Sequence, residues 1–337
     1  MATESQADVS VVICTRNRAD SLCETLSCLA AADRAELAVD VVVVDNGSDD
    51  ATRAVVQSFA HRLPVRYLFE PTLGTYGKSH ALNRALNASG LGQLVAVLDD
   101  DMSVEPGWWR GVCAISRRWP NADLFTGRSH VIWPSSPAPE WAGHPKVRGW
   151  LCSVMDEGAE DLPLSSGRWF SGNHFWFRSR VLIGGRRFPD TWFTEPQFIL
   201  QLIEDGFCGV SGADAVAGHR IQPSLLEPAM ALDRSVQSGK AIAQARLCPV
   251  RRSVRNSRLA VDHPIAARTY CAASWIRWTW RRWRARNAGP DCPGFADRLM
   301  AVQQCANYRE ALRILSTAGE YRLFNTRARS GSRTLMA

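Results

Sequence analysis

The sequence predicts an α/β protein built on a doubly wound, mostly parallel β-sheet flanked by helices. Short apolar runs alternate with segments of helical periodicity over the first hundred residues, which is the pattern of parallel strands joined by helices. Each apolar run ends in polar residues, as is typical of the ligand-binding edge of such a sheet. Because 46% of the residues are hydrophobic and 22% are charged, a disordered chain and a polytopic membrane protein are both excluded.

The first strand and helix occupy residues 9–32. Residues 9–14 read VSVVIC, a β-branched run that predicts a strand. The polar segment TRNR follows, and leucines at helical spacing then predict a helix over 19–32. Asp20 and Ser21 stand at its start, where we expect them to cap free N–H groups.

The next elements repeat this alternation. Residues 39–44 predict a continuous apolar strand, and Asp49 or Asp50 is expected to cap the helix that follows it. A strand, a helix and a strand are then predicted at 65–69, 79–86 and 94–98.

Residues 103–192 are irregular and rich in Pro, Gly and Trp, which indicates insertions around further strands. Helical periodicity returns over 195–206, and a short strand is predicted at 215–217.

The formal charge of +7 is divided unevenly along the chain. Residues 1–235 hold 21 Lys and Arg against 28 Asp and Glu, whereas residues 236–337 hold 19 against 5. We therefore expect an acidic domain over 1–235 and a basic helical extension over 236–337. Nucleic-acid binders carry positive charge on their folded recognition surface, so we expect no nucleic-acid partner.

The cysteines and the apolar segments predict a cellular location. The ten cysteines include no C-x-x-C pair, and the first residues lack the basic and apolar regions of a secretion signal. Both observations favour a reducing cytoplasm. No segment reaches the roughly 18–20 apolar residues of a spanning helix, so any membrane contact is expected to be peripheral.

Asp99, Asp100 and Asp101 follow the fourth strand directly. Three carboxylates at the end of a buried strand repel one another and lose hydration, so a positive group must compensate them. Mn²⁺ or Mg²⁺ suits such oxygen ligands. A solvated acidic turn that caps the next helix is the alternative, and the polar ends of the neighbouring strands favour the cation.

Several motifs occur in a characteristic order between residues 9 and 235. They are VSVVICTRNR, VVVVDNGSDD, GKSHALNRAL, VLDDDMSVEPGWW, GNHFWFR, and a helix from Glu195 that is followed by His219. Together they resemble the family 2 glycosyltransferases. The resemblance implies an A-type glycosyltransferase fold, with a donor-binding half over 9–106 and an acceptor-binding half over 107–235. It also implies inverting, non-processive transfer of one sugar from a cation-bound nucleoside diphosphate sugar to an acceptor hydroxyl.

The resemblance assigns the donor-binding residues. Thr15 and Asn17 match the loop that lines the nucleotide base, and Asp45 with Asn46 matches the acidic pair that reads the edge of the base. Asn46 stands where the family commonly has an aspartate. Lys78, at the start of a helix, matches the segment that approaches the diphosphate, where a cation and the helix N-terminus suit an anion.

The resemblance also assigns a metal site. Asp99 and Asp101 match the outer acids of the family's metal motif, so Asp101 is the predicted cation ligand and Asp99 contacts the ribose or the metal. Asp100, between them, supports one or the other. His219 completes the metal shell or contacts a phosphate oxygen.

The predicted general base is Glu195, which would take a proton from the acceptor hydroxyl. Counting back from the turn at 206–207 places Thr194 and Glu195 on the family's Glu-Asp pair. A plain helix-terminal charge is the alternative, and with it a catalytically inactive sugar-binding or scaffold protein. On the acceptor side, Gly172, Asn173 and His174 match the family's Gly-Asn motif, and Trp192 is expected to stack on a sugar.

The basic extension contains CAASWIRWTWRRWRAR at residues 271–286. Projected onto a helix, Trp275, Ile276, Trp280 and Trp283 fall on one side and most arginines on the other. Such a helix binds an anionic membrane surface or packs on the catalytic domain, and the sequence favours neither. We expect a UDP- or GDP-linked donor, a glycan, lipid-linked or small-molecule acceptor, and a location in the cytoplasm or on the inner membrane face.

Overall fold

The structure is a computed structural model that describes residues 7–74, 76–134, 137–156, 158–164, 172–191, 193–247, 264–284, 288–290 and 294–316. The chain divides into two compact units. The first comprises Met1–Ile132 and Ser153–Arg220, and the second comprises Trp133–Cys152 and Ile221–Ala337.

The first unit contains the β-sheet. Its strands are β1 (Val9–Thr15), β2 (Val39–Asp45), β3 (Val65–Phe69), β4 (Leu94–Leu98), β5 (Met102–Val104), β6 (Leu124–Ile132), β7 (Leu162–Pro163), β8 (His174–Arg178) and β9 (Gly209–Arg220). Its α-helices are α1 (Ala19–Ala31), α2 (Thr52–Ser58), α3 (Gly77–Leu86), α4 (Trp108–Arg118) and, later in the chain, α7 (Thr194–Glu204).

The nine strands form one mixed, mostly parallel sheet in the order β3-β2-β1-β4-β8-β6-β9-β5, with β7 beside β9. Strands β1 to β4 pair in parallel. Strand β8 runs antiparallel between β4 and β6, whereas β6 and β9 pair in parallel. This arrangement confirms the predicted α/β sheet and brings the carboxyl ends of β1, β2 and β4 to one edge.

Helices cover both faces of the sheet because its strands are apolar on both sides. Val11 and Ile13 join the core beneath α1, α2 and α4. Val12 and Val42 belong to the opposite core, beneath α3 and α7. The sheet is therefore doubly wound, as the mainly apolar strand runs indicate.

Two local predictions are corrected by the structure. Asp20 and Ser21 lie inside α1, and the free N–H of Ala19 donates instead to Asp50 Oδ2 at 2.9 Å. Asp50 also accepts from the N–H of Thr52 at 3.0 Å, which confirms its predicted role at α2. The short strand predicted at 215–217 lies within the longer strand β9, whose glycines, serine and alanines hide its apolar pattern.

The second unit is helical. It contains α5 (Glu140–Gly143), α6 (Pro145–Leu151), α8 (Pro228–Leu247), α9 (Pro264–Arg284) and α10 (Phe295–Ser316). Helix α10 packs against both α8 and α9. The predicted boundary at residue 235 falls inside α8, whereas the division between the units follows Arg220. Among the described residues, no helix is long and apolar enough to cross a membrane.

Candidate functional site

The predicted donor residues lie at the carboxyl ends of the parallel strands. Strand β1 ends at Thr15, β2 at Asp45 and β4 at Leu98, so the loops after them share one edge of the sheet. A cavity of about 220 Å³ opens at this edge. It is lined by Cys14, Thr15, Arg16, Arg18, Asn46, Lys78, Asp99 and Asp100.

Asp100 joins the end of β4 to the loop after β1. Its side chain accepts from Thr15 Oγ1 at 2.7 Å and from Arg18 Nη1 at 2.6 Å. Burial raises the pKa of Asp100 to about 6, against the opposing charge of Arg18. Its main-chain carbonyl accepts from Ser21 and Thr25 of α1, both at 2.8 Å. Asp100 therefore organises the floor of the site.

Asp101 contacts both a guanidinium group and an imidazole ring. Arg18 Nη1 lies 3.1 Å from its Oδ2, and His219 Nε2 lies 3.2 Å from its Oδ1. Burial opposes ionisation of Asp101, but the hydrogen bond and charge of His219, followed by Arg18, lower its pKa overall. The side chain therefore stays ionised, and the arginine supplies part of the compensation that three aspartates require.

The donor chemistry of this edge fits a divalent cation. Asp101 and His219 offer an oxygen and a nitrogen ligand in direct contact, which are ligand types that suit Mn²⁺. Within the described part of the chain, no three His, Cys, Asp or Glu side chains converge in a metal-binding cluster. Arg18 and Lys78 carry the positive charge beside the aspartates in this structure.

Lys78 connects the aspartates to the predicted base. Its Nζ donates to Asp99 Oδ1 at 2.8 Å and also forms an ion pair with Glu195. Burial lowers the pKa of Lys78, but the two carboxylates outweigh it and hold that pKa well above its usual value. Glu195 is only 6% exposed. Its buried charge is paired with Lys78, which belongs to a different helix.

The elements that carry Lys78 and Glu195 are tied together. Asn83 of α3 exchanges two hydrogen bonds with the backbone of Phe188, both at 2.9 Å. Ser79 Oγ donates to Asp190 at 2.6 Å. Since residues 188–190 lead directly into α7, these contacts fix the start of α7 against the start of α3.

Gly172 packs directly on Glu195. A Cβ atom at this position would lie 3.0 Å from Glu195 Cβ and 3.3 Å from Pro196 Cδ. Such contacts are tighter than ordinary van der Waals spacing, so a larger residue would press on Glu195. The predicted acceptor residue Gly172 therefore also positions Glu195.

Asn46 braces the loop that precedes α3. Its Nδ2 donates to the carbonyls of Glu70 at 3.1 Å and Thr72 at 2.8 Å. A Cβ on Gly77 would lie 2.4 Å from Asn46 Oδ1, so only glycine permits this approach. An aspartate has no N–H to donate to these carbonyls, which gives a physical reason for the amide here.

Asp45 and Asn17 connect neighbouring loops. Asp45 accepts from the N–H of Ser48 at 2.8 Å and from the hydroxyl of Tyr67 at 2.7 Å. Asn17 has a φ of 52°, a conformation that asparagine tolerates better than most residues. Its Oδ1 accepts from the N–H of Asp49 at 2.9 Å. Asn17 thus holds the β1 loop to the β2 loop, and Asp45 ties the β2 loop to β3.

The structure separates the predicted acceptor residues. His174 lies in the core, 1% exposed, where its Nε2 accepts from Trp108 Nε1 at 2.8 Å. Burial lowers the pKa of His174 to about 4, so the ring is neutral. Asn173 is also buried, and its carbonyl accepts from the N–H of Asp99 at 3.1 Å. Trp192 lies outside the described residues.

Two arginines of the site are absent from the predicted set. Arg18 stands in the TRNR segment directly after β1, and this basic pair beside the acidic strand ends is the signal that could have identified it. Arg220 donates to Thr25 Oγ1 at 2.7 Å and to the carbonyl of Ser21 at 2.8 Å. It thereby anchors the end of β9, and with it His219, against α1.

Comparisons by sequence identify relatives of part of this chain. A profile described as Glycosyl transferase family 2 matches residues 10–129. Validoxylamine A glucosyltransferase of Streptomyces hygroscopicus subsp. jinggangensis is 36% identical over 139 residues, which cover 41% of this chain and 32% of that protein. Chondroitin synthase of Escherichia coli is 34% identical over 123 residues, covering 36% and 18%. The chain thus spans about a third of the first relative and less of the second.

Solved structures share the fold at low sequence identity. Residues 1–349 of S. aureus TarS superimpose with a TM-score of 0.54 at 15% identity, covering 96% of this chain and 92% of that one. The mannosyltransferase PcManGT from Pyrobaculum calidifontis, in complex with GDP-Man and Mn²⁺, gives 0.52 at 19%, covering 98% and 89%. Residues 10–129 are therefore similar to glycosyl transferase family 2, and the chain shares the A-type glycosyltransferase fold of these solved structures.

Proposed function

We propose that this protein is an inverting glycosyltransferase that moves one sugar from a nucleoside diphosphate sugar to an acceptor hydroxyl. The observation that carries the proposal is the meeting of Lys78, Asp99 and Glu195 at one edge of the sheet. This cluster brings a cation suited to phosphate within contact of a carboxylate suited to accept a proton.

The donor would occupy the cavity between the β1, β2 and β4 loops. Thr15 and Lys78 line this cavity, and Asn17 and Asp45 hold the loops beside it in place. The base and ribose are expected on the Thr15 side and the diphosphate beside Lys78. Relatives with this fold include one solved with GDP-Man and Mn²⁺, which supports a nucleotide-sugar donor. UDP- and GDP-linked sugars are the donors to test first.

Glu195 would act as the general base. Before the donor binds, Lys78 is shared between Glu195 and Asp99. A bound diphosphate offers Lys78 a more highly charged partner, so donor binding would release the Glu195 carboxylate toward the acceptor. This order of events would restrain the base until a donor is present.

A divalent cation would be held by Asp101 and His219, with Asp99 close by. When bound, it would supply positive charge to the departing diphosphate. Arg18 contacts the same carboxylate as His219, so it would have to share or yield Asp101 Oδ2. Mn²⁺ and Mg²⁺ are the expected ions.

The exposed face of α9 supports a membrane location. Trp275, Ile276, Trp280 and Trp283 are 48%, 59%, 54% and 66% exposed. Cys271 and Ser274 are buried instead, and the helix packs on α10. Because the apolar side remains accessible and arginines flank it, we propose that α9 binds the anionic surface of the inner membrane face. A lipid-linked or glycan acceptor would suit this cytoplasmic location.

The function is tested by measuring thermal stabilisation with UDP- and GDP-linked sugars, each with and without Mn²⁺. The expected result is stabilisation by one donor class that grows with Mn²⁺, followed by slow donor hydrolysis without an acceptor. Asp101→Ala should lose both effects, whereas Asp161→Ala, at a half-buried aspartate that does not line the cavity, should keep them. If no nucleotide sugar stabilises the protein, the transferase proposal is wrong.

The inactive sugar-binding alternative gives a different result in the same assay. Glu195 is held by an ion pair, and Thr194 occupies the position of an expected acid. Donor binding with neither hydrolysis nor transfer, across an acceptor screen, would support that alternative.

A further inference from the structure

The second unit contains a large basic basin between α8, α9 and α10. Its volume is about 900 Å³. The charged residues that line it are Lys240, Arg282, Arg298, Arg309, Arg313 and Glu310. Five cations thus share one cavity with a single carboxylate.

The single carboxylate is already engaged by its neighbours. Glu310 is 8% exposed and accepts from Arg313 at 2.9 and 3.0 Å and from Gln244 at 2.9 Å. The hydrogen bond from Arg313 lowers the pKa of Glu310, so this acid stays ionised. Arg313 and Glu310 therefore neutralise one another on the wall of the basin.

The other cations lack such compensation. In the described part of the chain, no salt bridge joins Lys240, Arg282 or Arg309 to a carboxylate. Arg298 donates to the carbonyl of Ala288 at 3.1 Å, which leaves its charge in place. Like charges on one cavity repel, and a multivalent anion relieves that repulsion.

The rim of the basin is held by aromatic contacts. Trp278 lies against Tyr308 of α10 in a stacked arrangement, with ring centroids 6.3 Å apart and planes inclined by 18°. The guanidinium of Arg282 lies 5.7 Å from the centre of the Trp278 ring, within range of a cation–π contact. The contact with Trp278 therefore holds the Arg282 guanidinium at the rim of the basin.

The basin adjoins the exposed apolar face of α9. Arg282 lines the basin, and the next residue, Trp283, belongs to the apolar face. Trp275 lies seven positions before Arg282, which is close to two full turns of a helix. The two side chains are therefore neighbours on the surface of α9. A polar, cationic pocket thus continues into a surface suited to acyl chains.

We propose that this basin binds the phosphate-bearing head group of a membrane lipid, with the α9 face in contact with its apolar part. Guanidinium groups match phosphate oxygens in pairs, and the basin offers several of them. The inference goes beyond sugar transfer, and it extends the proposed membrane contact of α9 by naming the chemical group recognised. All the residues involved belong to the second unit, so the donor site can fail without affecting it.

The first test uses the full chain, inorganic pyrophosphate and no divalent cation. Pyrophosphate should raise the unfolding temperature of the wild type at constant ionic strength, more than sulfate does. The double variant Arg282→Gln/Arg309→Gln should lose this rise. Arg277→Gln/Arg234→Gln, which removes the same charge outside the basin, should keep it. Lys78→Ala should also keep it, which separates the basin from the donor site.

The second test measures flotation with phosphatidylcholine vesicles that contain phosphatidic acid or, at equal surface potential, phosphatidylglycerol. We expect the basin variant to lose about tenfold more binding to phosphatidic acid than the matched charge control does. Equal losses in the two variants would show only nonspecific charge attraction and overturn the proposal. Pyrophosphate stabilisation that survives in Arg282→Gln/Arg309→Gln would also overturn it, because the anion would then bind outside the basin.

Discussion

Lys78 and Glu195 form an ion pair between the first turns of two helices, α3 and α7, although more than a hundred residues separate them in the chain. Asp99 shares the same ammonium group. Hydrogen bonds from Ser79 and Asn83 to residues 188–190 keep the two helix starts together. Phosphate binding and proton acceptance would therefore be coupled through a single lysine.

The first prediction concerns Glu195→Gln. The amide keeps the size of the side chain but cannot take a proton from the acceptor, so turnover should fall by about 10²–10⁴-fold. Donor affinity, measured by calorimetry, should change little. Glu204→Gln, at the other end of α7, is the matched control and should retain activity. Full turnover in Glu195→Gln would assign the base to another residue.

The second prediction concerns Gly172→Ala. The added Cβ would press on Glu195 Cβ at 3.0 Å and on Pro196. Because displacement of a base by a few tenths of an ångström weakens proton transfer, kcat should fall by about 10-fold or more. The donor Kd should remain unchanged, since Gly172 does not line the donor cavity. Gly143→Ala is the control for the substitution itself, because an added Cβ there meets no atom within 4 Å. It should retain the wild-type kcat.

The third prediction concerns Arg18→Ala in the absence and presence of Mn²⁺. Loss of the guanidinium leaves Asp100 and Asp101 without their shared cation, so the metal-free protein should lose about 2 kcal/mol of unfolding free energy. Mn²⁺ should restore more stability to this variant than it adds to the wild type. Arg62→Ala, at an exposed arginine, should behave as wild type. Equal Mn²⁺ effects on all three proteins would show that Arg18 and the cation do not share Asp101.

The fourth prediction concerns Asn46→Asp. The carboxylate cannot donate to the carbonyls of Glu70 and Thr72, and it places negative charge against both. The unfolding free energy should fall by about 2 kcal/mol, and donor affinity should weaken because the loop before α3 loosens. Chemical denaturation measures the first effect. Asn121→Asp, at an exposed site, is the control and should leave the unfolding free energy unchanged. If Asn46→Asp is as stable as the wild type, the Asn46 amide does not stabilise this loop.

The fifth prediction concerns His174 and pH. Its pKa of about 4 in the folded protein lies below the usual value of about 6.5 expected on unfolding. Between these values the unfolded chain binds more protons, so stability falls as pH falls. The wild type should lose about 2 kcal/mol through this group between pH 7.5 and pH 5. His174→Gln should lack that loss, whereas His61→Gln, at an exposed ring, should retain it.

Some features of this protein follow from the sequence alone. Runs dominated by valine and isoleucine at residues 9–14 and 39–44 identify parallel strands because both faces of a doubly wound sheet are buried. Asp99 to Asp101 are predicted to lie at one edge of the sheet because polar residues after such strands converge there, whereas Lys78 is identified by the resemblance of its motif to the family 2 glycosyltransferases. The amphipathic pattern of α9 was also readable, since helical periodicity is a local property.

Other features were decided only by the tertiary structure. Arg18 compensates Asp100, Lys78 pairs with Glu195, and the amide of Asn46 braces a loop, because each contact joins segments that are distant in the chain. His174 belongs to a motif, but folding buries it against Trp108 instead of exposing it at the cavity. Local sequence determines which elements form. The packing of those elements determines which partner each buried polar group has, because burying an unpaired charge or donor costs free energy.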